Sequence, residues 1–258
     1  PGDILPFCPA EPTKVMYVKS AGGHVWRRSR TPSSPPTRRS APPCRSPGTT
    51  ARPGSSAIAA TNAAVAQGTK VMVISPDFGD SQLPSMRKAM QAGVQVVSTV
   101  NDVNGRKGVD YVDSLVWDTK AIGEKQAAWL AANVKTGKVA FLGGQPGAPS
   151  TQKTFDAFKE ALGRLAPQMQ LVPDTWVATN WDAGQKRRTV AGLLAQNGEY
   201  AAFVSDYGAS DVGAVQAILD AKAPMPAFLN VGSSQAFVCT VEQNGIRWLG
   251  QDGTRGSR

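Results

Sequence analysis

The stretch that most constrains this chain is Lys70–Asp102, KVMVISPDFGDSQLPSMRKAMQAGVQVVSTVND. It opens with a short apolar run, Val71–Ile74, stopped by Ser75-Pro76. A β-branched run of that length between turn residues reads as a buried strand of a parallel sheet. Asp77–Asp80 read as a polar loop and Gln82–Gln91 as a helix, with Leu83, Met86 and Met90 on one stripe while Arg87 and Lys88 face water. Gly93 follows the helix end, and Val94–Val100 is the next strand. The result is one strand–helix–strand unit, which a parallel sheet closes with a right-handed crossover. Ligands of such sheets sit beyond the carboxyl ends of the strands, so Asp77, Phe78, Asn101 and Asp102 are the first candidate ligand residues.

The same alternation continues to the end of the chain. Lys14–Val18 reads as a first strand, and Ile58–Gln67 as a helix ended by Gly68. Tyr111–Trp117 is extended, and the helix Thr119–Val134 turns Ile122, Trp129, Leu130 and Val134 inward. Lys138–Gly143 is a strand, and Ser150 is placed as the N-cap of a helix lined by Phe155, Phe158, Leu162 and Leu165. Strands at Gln170–Ala178, Ala201–Val204 and Ala227–Val231 alternate with helices at Ala183–Gln196, Val212–Lys222 and Gln235–Gln243. Alternating strands and helices of this kind imply an α/β fold.

Ala-Gly-Val-Gln-Val-Val at 92–97 and Asp118-x-x-x-x-Gly123 resemble, in this order, segments of the sugar-type periplasmic binding proteins, the type I solute-binding receptors of ABC transporters. The resemblance runs with gaps from about Lys14 to about Gly245 and rests on the order of weak motifs. It implies two Rossmann-like parallel-sheet domains with a cleft between them, the ligand held in the cleft and no chemistry performed. On that pattern 13–28 and 57–108 form an N-terminal domain, 109–234 a C-terminal domain, and 235–258 an incomplete return to the first. It further implies permease subunits as partners, a monomer, and a place outside the cytoplasmic membrane. The position after the strand Ala201–Val204 carries Asn or Asp against ligand in that family, a role that falls here on Asp206.

Pro1–Pro12 reads as an extended leader, with any signal peptide already removed. No window approaches the ~18 apolar residues of a membrane-spanning helix. The net charge of +9 is concentrated at one end: residues 1–56 hold nine Lys/Arg and two Asp/Glu, leaving 19 basic and 17 acidic residues for 57–258. That distribution argues against a nucleic-acid-binding face on the folded body. From Ser29 to Ser56 the chain has no acidic residue and no Val, Ile, Leu, Met, Phe, Tyr or Trp. Such a segment cannot bury apolar surface and is expected to be disordered. Its Arg, Pro, Ser, Ala and Gly are what GC-rich coding DNA yields out of frame, so a translation-frame error is the first reading. A proline-rich linker and an arginine-rich tail are the rivals. The first domain is then incomplete. Cys8, Cys44 and Cys239 show no metal-ligand spacing, and a Cys8–Cys239 disulfide is one open pairing.

No motif carries catalysis. Gly143-Gly144-Gln145-Pro146-Gly147 lacks the Lys-Ser/Thr of a phosphate loop and the spacing of a dinucleotide site. His24 is the one histidine, and no nucleophile motif is present. Asp182 and Asp206 have none of the context of a glycosidase carboxylate pair. What recurs is a placement: His24 and Trp26, Asp77 and Phe78, Asn101 and Asp102, Gln145, Trp181 and Asp182, Asp206 and Tyr207, and Ser233 and Ser234 all follow expected strands. Carboxylates and amides bond sugar hydroxyls, and aromatic rings cover apolar sugar faces. The expected ligand is therefore a sugar or polyol, with no cofactor, metal or nucleic acid. The rival functions are an effector domain of a lactose-repressor-type regulator, which needs a helix-turn-helix that Pro1–Pro12 does not offer, and an enzyme on a doubly wound sheet.

Overall fold

The computed structural model describes residues 13–18 and 57–251, together with the backbone of 255–256. The leader, the Ser29–Ser56 segment, His24, Trp26, Cys8 and Cys44 lie outside the described residues. The chain forms two compact units, the first with the described residues up to Pro76, Asp80–Thr99 and Asn104–Ser114, the second with Asp77–Gly79, Val100–Val103 and the described residues from Leu115 on.

In the first unit, β1 (Val15–Val18), β2 (Val71–Ile74) and β3 (Gln95–Val100) run parallel, with Val18, Ile74 and Ser98 in one register row. β4 (Asp113–Trp117) continues the sheet, and a two-residue β11 (Arg255–Gly256) lies antiparallel to β4. Alternate residues of β1 and β2 are buried, the period-two signature of a strand with one well-covered face. Met16, Val18, Met72, Ile74 and Val96 pack with Ala57, Ala60 and Ala64 of α1 (Ala57–Ala66) and with Met86 and Ala89 of α2 (Leu83–Gln91). A 3₁₀ turn at Gly79–Gln82 precedes α2, so the helix starts one residue later than the periodicity indicates, with Pro84 in its first turn, where a missing N–H costs nothing.

The second unit holds β5 (Gly137–Gly143), β6 (Met169–Leu171), β7 (Val177–Ala178), β8 (Ala202–Ser205), β9 (Ala227–Val231) and β10 (Trp248–Gln251). All pairs are parallel, in the order β10-β9-β8-β5-β6, with β7 also on β5. Both faces are covered. Val139 and Phe141 of β5, Val204 of β8 and Leu229 of β9 pack under α3 (Thr119–Asn133) and α4 (Pro149–Leu165). Ala140, Leu142, Phe203 and Phe228 face α5 (Ala183–Asn197), α6 (Val212–Asp220) and α7 (Gln235–Asn244). Two glycines set helix spacing. A Cβ on Gly123 of α3 would lie 2.6 Å from Thr154 O and Phe158 N of α4, and one on Gly213 of α6 would lie 1.8 Å from Ala183 O of α5.

Two expectations are corrected here. The extended stretch Gln170–Ala178 is two short strands, β6 and β7, with a bend at 172–175 between them. Ser150 is not an N-cap: α4 begins at Pro149 after Ala148, which leaves Ser150 buried in the first turn. After 234, α7 packs Phe237 into the core of the second unit and β10 pairs with β9, while the backbone of 255–256 pairs with β4.

Candidate functional site

In chain order the main strands of the second unit lie 2-1-3-4-5, so the sheet reverses its direction of growth between β5 and β8. The carboxyl ends at such a reversal diverge and leave a crevice. Gly143-Gly144 closes β5 at that point and Ser205-Asp206 closes β8.

Asp206 is buried, and its carboxylate accepts from the Thr151 hydroxyl of α4 and, at 3.1 Å, from Trp181 Nε1. Burial pushes its carboxyl above the ordinary range, opposed by the Thr151 hydrogen bond, the Lys186 charge and the Trp181 hydrogen bond. Neighbouring Tyr207 is pushed up to about 12 by burial. Trp181 and Asn180 both have left-handed φ, 54° and 51°, an unusual conformation for a bulky residue. The Trp181 indole lies on Gly144, where a Cβ would come within 2.0 Å of the ring. Only a glycine permits that approach.

Thr151 has a consecutive neighbour with a parallel duty. The backbone N–H of Ser150 donates to Asn101 Oδ1 at 3.0 Å, and Asn101 Nδ2 donates to Asp77 Oδ1 at 2.9 Å. Lys153 Nζ pairs with Asp102 Oδ2 at 2.9 Å. The first turn of α4, whose N-cap makes no side-chain hydrogen bond, thus holds Asn101 and Asp206 near its positive end, with Asp77 attached through Asn101, while Lys153 of the next turn holds Asp102.

The remaining expected residues divide by role. Phe78 is exposed and Gln145 half-buried. Asp182 is the N-cap of α5, accepting from Gln185 N at 2.7 Å, and Ser234 is the N-cap of α7, accepting from Phe237 N at 3.2 Å. Ser233 Oγ donates to Asn230 Oδ1 at 2.9 Å. Asp206 caps no helix: the 3₁₀ turn Gly208–Ser210 and α6 both start without a side-chain cap. Cys239 is exposed on α7.

Sequence reasoning missed Thr151, Lys186, Asp211 and Asn230. A signal for three of them was present. Lys186 falls in phase with Val190 and Leu193 on the buried stripe of α5, Asp211 in phase with Ala214, Val215 and Ile218 of α6, and Asn230 interrupts the apolar run of β9. A polar residue in an apolar phase is buried and needs partners. Among the described residues no group of three or more His, Cys, Asp or Glu could hold a metal ion, and no helix is long and apolar enough to cross a membrane.

No curated protein matches the chain. An ABC transporter solute-binding protein from Agrobacterium vitis with bound D-fucose is similar at TM-score 0.72 and 17% identity, over 91% of this chain and 81% of that one. The periplasmic component of the arabinose ABC transporter from Shewanella sp. ANA-3, bound to L-arabinofuranose, is similar at TM-score 0.64 and 19% identity, over 81% and 80%. A periplasmic solute-binding protein from Actinobacillus succinogenes with bound D-allose gives TM-score 0.65 and 19% identity, over 77% and 71%. The fold is therefore the type I solute-binding fold, a scaffold of non-enzymatic binding proteins. A family model described as a periplasmic binding protein domain matches residues 48–252, and the chain belongs to that family.

Proposed function

We propose that this chain is the extracytoplasmic solute-binding component of an ABC transporter, capturing a sugar or polyol and presenting it to permease subunits. The observation that carries this reading is the Asp206 carboxylate at the β5/β8 crevice, held by Thr151 and Trp181. Each carboxylate oxygen has about two acceptor positions. One on each is used within the protein, which leaves one on each for a ligand hydroxyl. Trp181 adds an apolar ring beside these acceptors, the combination a polyhydroxylated ring requires. Asp77, Asn101, Asp102, Gln145 and Tyr207 are the further ligand-contacting residues of the proposal. Asp182, Ser233 and Ser234 shape the surrounding loops through their caps and the Asn230 contact. The family name and the D-fucose, L-arabinofuranose and D-allose held by similar structures support the solute class.

Calorimetric titration of the full chain with D-fucose, L-arabinose, D-allose and a wider panel of sugars and polyols tests this. A saturable heat with one of them is expected, and Asp206→Ala should weaken it about tenfold or more, through loss of hydrogen bonds to a charged group worth roughly 1.5–3 kcal/mol each. Absence of binding across the panel overturns the solute class. Unaltered affinity in Asp206→Ala overturns the site.

A further inference from the structure

Lys186 and Asp211 form an ion pair with both side chains fully buried, 2.5 Å apart. An ammonium has three N–H donors, and all three of Lys186 are placed: on Ser205 Oγ at 2.6 Å, on the Tyr207 carbonyl at 2.8 Å and on Asp211 Oδ1. Ser205 and Tyr207 are the two chain neighbours of Asp206. Ser205 Oγ also accepts from the Tyr207 N–H at 3.1 Å, closing the turn upon itself. The other oxygen of Asp211 accepts from Asn230 Nδ2 at 2.7 Å, and Asn230 Oδ1 accepts from Ser233 Oγ and from Trp248 Nε1, both at 2.9 Å. Gly208 lies so close to the Asn230 amide that a Cβ there would meet it at 2.5 Å. The register explains the convergence, since Ser205, Asn230 and Gly250 share one row across β8, β9 and β10.

A buried ion pair is a poor device for stability, because removing both charges from water offsets their attraction. Its strength is geometric. We propose that Lys186 is a positioning residue for solute capture: its ammonium holds the 205–211 turn from both sides of Asp206 and presents that carboxylate in a fixed orientation before a solute arrives. The proposal rests on the reading of Asp206 as a ligand contact.

The test uses the full chain with the double substitution Lys186→Met/Asp211→Asn, which removes both charges together and leaves an acceptor for Asn230. Lys186→Met alone would strand the Asp211 charge and confound folding with function. Hydrogen exchange of the 205–211 segment is compared with that of β5 and β9, and affinity is measured with D-fucose, L-arabinose and D-allose. Exchange in 205–211 should accelerate about tenfold or more while β5 and β9 keep wild-type protection. Affinity for whichever sugar the wild type binds should fall about tenfold or more. Unchanged exchange in 205–211 overturns the proposal, and so does full affinity with a loosened turn. Uniform acceleration through the second unit assigns the pair to stability alone and overturns it as well. If the wild type binds none of the three sugars, the role in capture falls with the proposed function, while the exchange result still decides whether Lys186 holds the turn.

Discussion

The indole of Trp181 rests on the backbone of Gly144, so closely that a methyl group at 144 would come within 2.0 Å of the ring. Gly144→Ala is therefore expected to expel Trp181 from its place and break its hydrogen bond to Asp206, at a cost of roughly 1–3 kcal/mol. Urea denaturation measures the loss, and the near-ultraviolet circular dichroism of the native variant should change with it. A variant with unaltered stability and aromatic spectrum would show that the ring has room to move.

Helix glycines should separate by what surrounds them. Gly213→Ala drives a methyl group into the Ala183 carbonyl of α5 and is expected to destabilise by about 1–3 kcal/mol. Gly163 of α4 has nothing within 4 Å of the corresponding position, so Gly163→Ala is expected to stabilise by roughly 0.5–1 kcal/mol through helix propensity. Thermal melts of the two variants should move in opposite directions.

Asp206 and Asp110 should shape the pH dependence of stability with opposite signs. Burial raises the Asp206 carboxyl above 3.8, so the native state keeps a proton there to higher pH than the unfolded chain does. Its contribution to stability falls as pH rises through the window above 3.8. For Asp110, burial is outweighed by the Arg87 side chain at 2.8 Å and the Arg106 N–H at 2.7 Å, and the carboxyl is held below 3.8. That contribution is present above 3.8 and lost as pH falls through the depressed value. Asp206→Asn should remove the first decline, and Asp110→Asn should cost about 1–3 kcal/mol near neutrality but little in acid. Urea melts between pH 3 and 8 (about the range of carboxylate linkage) check both.

Backbone protection should differ between the units. Every residue of β8 and β9 is buried, whereas β1 and β2 bury only alternate residues. Amides of β8 and β9 are expected to exchange most slowly, through near-global opening, and those of β1 and β2 faster. Equal protection factors in the two sheets would contradict this.

The alternation of strands and helices was legible because each strand carries a short apolar run and each helix an apolar stripe. β9 was located to the residue, since Pro226 and Gly232 bound its run on both sides. The division of Gln170–Ala178 was not legible, because neither a short bend nor a two-residue strand has a periodicity to read. For the site, strand ends pointed to Asp206, Trp181, Asp77 and Asn101, but not to what holds them. Thr151 was hidden by the expectation that Ser150 caps its helix: the cap is Ala148, two positions earlier, which sets a different side chain toward Asp206. Lys186 was hidden by its type: a lysine on a helix is taken as solvated unless its phase with Val190 and Leu193 is weighed more heavily than its charge.

The close start of α5 against α6, set by Gly213 and Ala183, has a thermodynamic consequence for capture. Trp181 and Asp182 lead into α5, and the Asp206–Asp211 turn leads into α6, so both loops are frozen when the helices dock. For a solute seated there, the loss of loop freedom has already occurred during folding and does not recur at each binding event. On the proposed reading of Asp206 as a ligand contact, discrimination between sugars at this edge would rest on which hydroxyls meet a fixed acceptor, since a poorly matched epimer could not recruit a rearranged loop to accommodate it.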